Sequence, residues 1–104
     1  MGQFIDLTAA DGQKIPAYVA KPEGQPKGAV VVVQEIFGVN AHIREVADGY
    51  AKDGYVAVAP STFHRVKPNV ELGYTDADMQ EGFGYKTAVD ALPAPGVMQD
   101  LQAA

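Results

Sequence analysis

The 104-residue sequence predicts an α/β fold: an antiparallel hairpin, then a parallel β-α-β unit, in a sheet that the chain leaves incomplete. Three observations carry that expectation. Two short runs of alternating polarity flank the turn dipeptide Asp11-Gly12. A continuously apolar, β-branched run, Ala29 to Val33, opens into a polar loop and then into a segment of helical period. Finally, an open sheet with helices on both faces generally takes roughly 200 residues or more, so this length suits one partial domain spanning 1–104.

The elements follow in order. Gln3 to Thr8 and Lys14 to Ala20 form the hairpin, with Ile5 and Leu7 on one side of the first strand and Ile15, Ala17 and Val19 on one side of the second. Asp11-Gly12 favours the positive φ of a tight turn. Pro16 has no N–H for a ladder and predicts an edge position or a bulge. Lys21 to Lys27, rich in Pro and polar residues, is a surface connection. Ala29 to Val33 then predicts a strand buried on both faces of a largely parallel sheet.

From Asn40 the period changes. Ile43, Val46, Ala47, Tyr50 and Ala51 recur three and four residues apart, with Arg44, Glu45, Asp48 and Lys52 between them, which is the pattern of an amphipathic helix. Asn40 is its N-cap and Gly54 lies just past its end. Tyr55 to Ala59 is a second buried strand, set parallel to the first by the helical crossover and ended by Pro60. Ser61 to Glu71 has loop character. Asp76 to Leu92 reads as a helix through Met79, Phe83 and Leu92, weakened by Gly82 and Gly84; its Asp76, Asp78 and Glu81 suit the positive end of a helix dipole. After Pro93-Ala-Pro-Gly96, Val97 to Ala104 reads as the opening turns of another helix.

Composition narrows the function. Lys plus Arg number 8 against 13 Asp plus Glu, for a net charge of −5, and no basic run is placed to neutralise consecutive phosphates, which excludes nucleic acid as a partner. No run approaches the roughly 20 apolar residues of a membrane span, and the start lacks the basic and apolar regions of a signal peptide. No membrane partner and a cytoplasmic address are expected. With 0 Cys, the chain holds no disulfide, thiolate metal site or Cys nucleophile. His42 and His64 lack ligand spacing, so no metal is expected, and they read as a surface residue and a site-rim residue. The loop after the buried strand has one glycine, Gly38, and no Lys aimed at a phosphate, so a nucleotide cofactor is not expected.

In open α/β sheets, ligands bind beyond the carboxyl ends of the parallel strands, where backbone N–H groups are free. Gln34 to Val39 is such a loop. Glu35 there can act as a general base, as the partner of a nucleophile, as a carboxylate held by the helix dipole, or merely as a cap of backbone groups. The free N–H groups around Ile36 suit an oxyanion hole. Arg65 by itself reads as a solvated loop cation. Ser61 sits between Pro60 and Thr62 rather than between glycines, so it lacks the sharp strand-to-helix turn that exposes a nucleophile.

The strand and loop V-V-V-V-Q-E-I-F-G-V-N, the helix with I-R-E-V-A-D and the strand D-G-Y-V-A-V-A-P together resemble the dienelactone hydrolase (carboxymethylenebutenolidase) family of the α/β-hydrolase fold, N-terminal half only. The likeness extends over nearly the whole chain, including the hairpin and the segment from Val97. It implies hydrolysis of a small ester or lactone through a covalent acyl-enzyme, with no cofactor. It further implies that Glu35 pairs with the nucleophile and helps to activate it, that the Ile36 N–H forms half of the oxyanion hole, and that Arg65 holds a substrate carboxylate. The family's nucleophile, usually a Cys in G-x-C-x-G on the next strand, has no counterpart here, nor do the later Asp and His; the chain alone is therefore expected to be inactive. The implied topology also puts Ala29–Val33 between Tyr55–Ala59 and a strand that this sequence does not contain. That open edge invites self-association or docking of the missing half. The alternative, from a different class, is a non-catalytic α/β module that binds a partner at the edge or a ligand at the Glu35 loop.

Overall fold

The computed structural model describes residues 2–93, 96 and 98–104. The elements are β1 (Gln3–Thr8), β2 (Lys14–Ala20), β3 (Gly28–Val31), α1 (Ala41–Lys52), β4 (Tyr55–Pro60), α2 (Asp76–Asp90) and α3 (Met98–Ala103). The strands form one mixed sheet in the order β1-β2-β4-β3. β1 and β2 pair antiparallel from Gln3↔Val19 to Thr8↔Lys14, β2 and β4 antiparallel from Ala17↔Pro60 to Ala20↔Ala57, and β3 and β4 parallel from Gly28↔Tyr55 to Val31↔Val58. The expected hairpin and β-α-β unit are therefore both present, joined into one sheet by the β2–β4 pair.

The hairpin turn is wider than a two-residue loop. Residues 9–13 form it, with Gly12 at φ 88 and the Asp11 Oδ1 accepting from the Gln13 N–H at 3.1 Å, an Asx turn that closes the loop with a side chain. Pro16 corrects the expectation of an edge or a bulge, because β2 lies between β1 and β4. Proline is tolerated there because the β4 ladder ends at Ala17↔Pro60. The Pro16 carbonyl accepts from the Ser61 N–H at 2.8 Å, and the side of Pro16 that lacks an N–H faces this last rung.

The main core lies between one sheet face and α1. Tyr18 and Ala20 of β2, Ala57 and Ala59 of β4, and Val32 just after β3 meet Ile43, Ala47 and Ala51 of the helix. Small residues on β4 let the helix approach the sheet closely. Tyr18 anchors the far side of this core: its hydroxyl donates to Asp48 at 2.8 Å and accepts from the Gly2 N–H at 2.9 Å. Ile15, Ala17 and Val19 point the other way and are also buried, so β2 is covered on both faces. The hairpin therefore buries residues on both of its faces rather than one, through β2.

β3 departs most from expectation. It is shorter than Ala29–Val33, although the Val32 N–H extends the ladder to Val58 at 2.8 Å. Val30 and Val32 pack toward α1, whereas Val31 and Val33 are 45% and 58% exposed. The physical reason is that, among the described residues, β3 pairs only with β4 and no helix covers its second face. The sequence of β3 is that of a doubly buried strand placed at an open edge. The principal extents, 40 × 34 × 16 Å, describe a correspondingly thin slab.

A smaller apolar cluster of Phe63, Val70 and Val89, with Ile36, Leu72 and Tyr85 against it, seats α2 beyond the carboxyl ends of β3 and β4. α2 ends at Asp90 rather than Leu92, and Thr75 caps its start by accepting from the Asp78 N–H at 3.1 Å. Val97, the expected start of the final helix, lies outside the described residues, as do Ala94 and Pro95; α3 is described from Met98.

α1 depends on Asn40, which is only 5% exposed. Its Oδ1 accepts from the Ile43 N–H at 3.2 Å, while its Nδ2 donates to the Leu72 carbonyl at 3.0 Å and to the Tyr74 hydroxyl at 3.2 Å. The N-cap thus ties the helix start to the segment that leads into α2. Asn40→Ala removes the cap and leaves the Leu72 carbonyl short of a donor, with an expected loss of about 2 kcal/mol in stability. Urea denaturation of the variant beside the parent checks this.

Candidate active-site groove

β3 and β4 run parallel, so their carboxyl ends lie side by side and the loops that leave them share one end of the sheet. Gln34 joins the two loops. Its Oε1 accepts from the Thr62 N–H at 2.9 Å, and its Nε2 donates to the Glu35 carbonyl at 3.1 Å. The turn that follows is closed by Gly38, whose N–H donates to the Glu35 carbonyl at 3.2 Å and whose φ is 82. A Cβ on Gly38 would sit 2.1 Å from the Val70 carbonyl oxygen, so the position admits only glycine. The Phe37 carbonyl then accepts from the Leu72 N–H at 2.8 Å.

α2 closes over this loop through Gly82. A Cβ there would lie 2.3 Å from the Ile36 carbonyl oxygen. The glycine that weakens the helix by propensity is the one that lets it touch the loop backbone, a role the sequence pattern did not disclose. Gly84, by contrast, faces open space.

Between the loop, the start of the β4 exit and α2 lies a groove of about 500 Å³. Gln34, Glu35, Ile36 and Phe37 form one wall; Thr62 and Phe63 form the floor of the second loop; Met79, Phe83, Lys86, Val89 and Asp90 face them from α2. Met79 and Phe83 are 40% and 53% exposed. The structure therefore brings Glu35 and Ile36 together at one apolar groove. Among the described residues the Glu35 carboxylate has no hydrogen-bond or ion-pair partner, and the Ile36 N–H donates to no other group.

Arg65 is placed elsewhere. It does not line the groove, and its guanidinium is clamped between two carboxylates. Nε reaches Asp100 Oδ1 and Oδ2 at 3.1 and 3.0 Å, and Nη2 reaches Asp100 Oδ1 at 2.8 Å. Nη1 and Nη2 reach Asp11 Oδ2 and Oδ1 at 2.7 and 3.1 Å, and Nη1 also meets Gln13 Oε1 at 3.3 Å. All of its donor groups are engaged, and Asp100 is fully buried. In this chain Arg65 is not a solvated cation: it ties the β1–β2 turn and α3 to the loop after β4. The two carboxylates push the Arg65 pKa up, and its guanidinium pulls Asp11 down to about 2.

The other sequence candidates fall outside the groove. His42 is exposed on α1. His64 is not on the rim; its Nδ1 is buried with no partner among the described residues. Ser61 lies just past the last β2–β4 rung, donating its N–H to the Pro16 carbonyl, and occupies no nucleophile turn. Among the described residues no group of three His, Cys, Asp or Glu side chains is placed to hold a metal, and no helix is long and apolar enough to cross a membrane.

A mixed sheet with an antiparallel hairpin, a parallel β-α-β unit and a loop at the carboxyl end of its strands is the arrangement of the α/β-hydrolase fold. The chain belongs to the dienelactone hydrolase family, whose profile matches residues 15–103. It is 36% identical over 77 residues to a carboxymethylenebutenolidase of Pseudomonas putida, covering 74% of this chain and 33% of that protein. It is 41% identical over 91 residues to a Synechocystis protein provisionally named carboxymethylenebutenolidase, covering 86% of this chain and 36% of the relative. A crystal structure from Klebsiella pneumoniae, provisionally described as a dienelactone hydrolase, superposes with a TM-score of 0.74 at 31% identity, over 99% of this chain and 41% of that one. The chain thus spans about a third of the length of these curated relatives.

The Arg65 clamp has a pH signature. Because the folded-state value of Asp11 lies below the usual carboxylate value, its stabilisation is fully present above the unfolded-chain pKa near 3.8 and is lost as pH falls through about 2. Acid titration of stability should show a falling limb between those values that is flattened in Asp11→Asn. Thermal melts at stepped pH measure it.

Proposed function

We propose that this chain is the loop-bearing part of a hydrolase that cleaves a small ester or lactone through a covalent acyl-enzyme, with Glu35 and the Ile36 N–H as its contribution to the site. The observation that supports the reading is the groove itself, lined by both Glu35 and Ile36, whose carboxylate and N–H have no hydrogen-bond partner among the described residues. Glu35 would accept a hydrogen bond from the nucleophile and favour its reactive form. The Ile36 N–H would donate to the carbonyl oxygen as it gains negative charge, in a site where α2 excludes part of the solvent. Attack would form the acyl–nucleophile bond and expel the alcohol, which takes up a proton; water would then release the acid. The nucleophile, with an Asp–His pair to move its protons, must come from sequence outside these 104 residues, since the chain has no Cys and no G-x-C-x-G or G-x-S-x-G turn. A cytoplasmic location goes with this reading.

The exposed Val31 and Val33, at and just after a strand paired on one side only among the described residues, favour a second reading, in which the chain acts as an assembly module. The open edge of β3 would pair with a second copy or with the remaining part of a hydrolase domain.

Two outcomes test these readings. The pure chain should give no turnover of 4-nitrophenyl acetate above buffer, and turnover abolished by Glu35→Ala would show a complete site and overturn the division of labour. Sedimentation at increasing micromolar concentrations should show self-association that Val31→Lys reduces; a strict monomer throughout that range would rule the edge-pairing reading out.

A further inference from the structure

Gln34 opens the Q-E-I-F-G run, and the proposed function gives it no task. Its side-chain amide can stand only one way round. The Thr62 N–H only donates, so the atom 2.9 Å from it is Oε1; the Glu35 carbonyl only accepts, so the atom 3.1 Å from it is Nε2. The same carbonyl accepts from the Gly38 N–H at 3.2 Å, which brings it to the two bonds a carbonyl oxygen can take. The Glu35 carbonyl and the Ile36 N–H are opposite ends of a single planar peptide unit, and in the trans form they point in opposite directions. A donor that holds the carbonyl therefore sets the direction of the N–H. Two bonds to the carbonyl also polarise the unit and strengthen the donor at its other end.

We infer that Gln34 is a positioning residue for the Ile36 N–H. Its Nε2 holds the 35–36 peptide with the N–H turned away from the Gly38 turn, while its Oε1 separately ties the loop after β3 to the loop after β4. The inference rests on the reading of the Ile36 N–H as an oxyanion donor, to which a fixed direction matters because such a donor acts without reorganising as charge develops. The two ends of the amide have separable effects. Loss of Oε1 frees one loop from the other, whereas loss of Nε2 leaves the loops joined and lets the peptide rock on the Gly38 bond alone.

Two substitutions separate these effects in the isotope-labelled 104-residue chain. Gln34→Glu keeps an acceptor for the Thr62 N–H and offers the Glu35 carbonyl no donor, whereas Gln34→Met removes both bonds. In the parent, the Gln34 side-chain amide and the Ile36 amide should both be rigid, with NMR order parameters near about 0.85; a value below about 0.6 at either overturns the inference whatever the variants do. In Gln34→Glu the Thr62 amide should stay as rigid as in the parent, while the Ile36 amide loosens and the Glu35 carbonyl carbon moves upfield. In Gln34→Met the Thr62 amide should loosen as well. Ile36 and Glu35 signals unchanged in both variants overturn the inference and leave the proposed function standing. Methyl acetate, added in excess, should move the Ile36 amide proton downfield in the parent and roughly half as far or less in Gln34→Glu. Equal movement in the two proteins overturns the inference alone. An ester that leaves the Ile36 amide of the parent in place overturns the inference together with the reading beneath it.

Discussion

The structure turns on how closely three pieces of backbone approach one another around the loop after β3. Gly38 lets the loop lie against the Val70 carbonyl, and Gly82 lets α2 lie against the Ile36 carbonyl, each at a distance no side chain permits. With Gln34 bonded to the Thr62 N–H, these contacts fix the loop from three directions. The smaller apolar cluster, the seating of α2 and the shape of the groove all follow from that arrangement. A loop held this way keeps the Glu35 carboxylate and the Ile36 N–H in one place without help from a ligand.

The parts of the fold set by local pattern were legible in the sequence, and the parts set by distant neighbours were not. α1 and both of its ends followed from helical period and capping residues, since a cap and an apolar stripe are decided within a few residues. β4 followed from its apolar run between Gly54 and Pro60. The exposure of Val31 and Val33 did not follow, because it depends on what lies on the far side of β3 rather than on β3. Pro16 misled for the same reason: its place is acceptable only because β4 happens to end opposite it. Glu35 and Ile36 stood out by position at a strand's carboxyl end, whereas Gly82 looked like a weak point in a helix until the loop beneath it was seen.

Arg65 shows the limit most plainly. Its partners lie 35 and 54 residues away in sequence, so no spacing rule reaches them. A motif match assigns a role to a residue type, but the partners decide which role is available. The buried Asp100 makes the clamp costly to break and cheap to keep, because an unpaired carboxylate in that position is worse than either bonded state. The hairpin at the front of the chain, the loop in its middle and α3 near its end are thereby locked in one arrangement.

The bare side of β3 also carries a meaning for the order in which such a sheet is built. Strand order β1-β2-β4-β3 leaves the third strand outermost, with its outward N–H and C=O groups unspent among the described residues. A further strand could therefore join there without breaking any rung already formed. Until one does, a valine-rich template faces water. Whatever shields that template decides whether the chain stays dispersed as much as any contact within the sheet does.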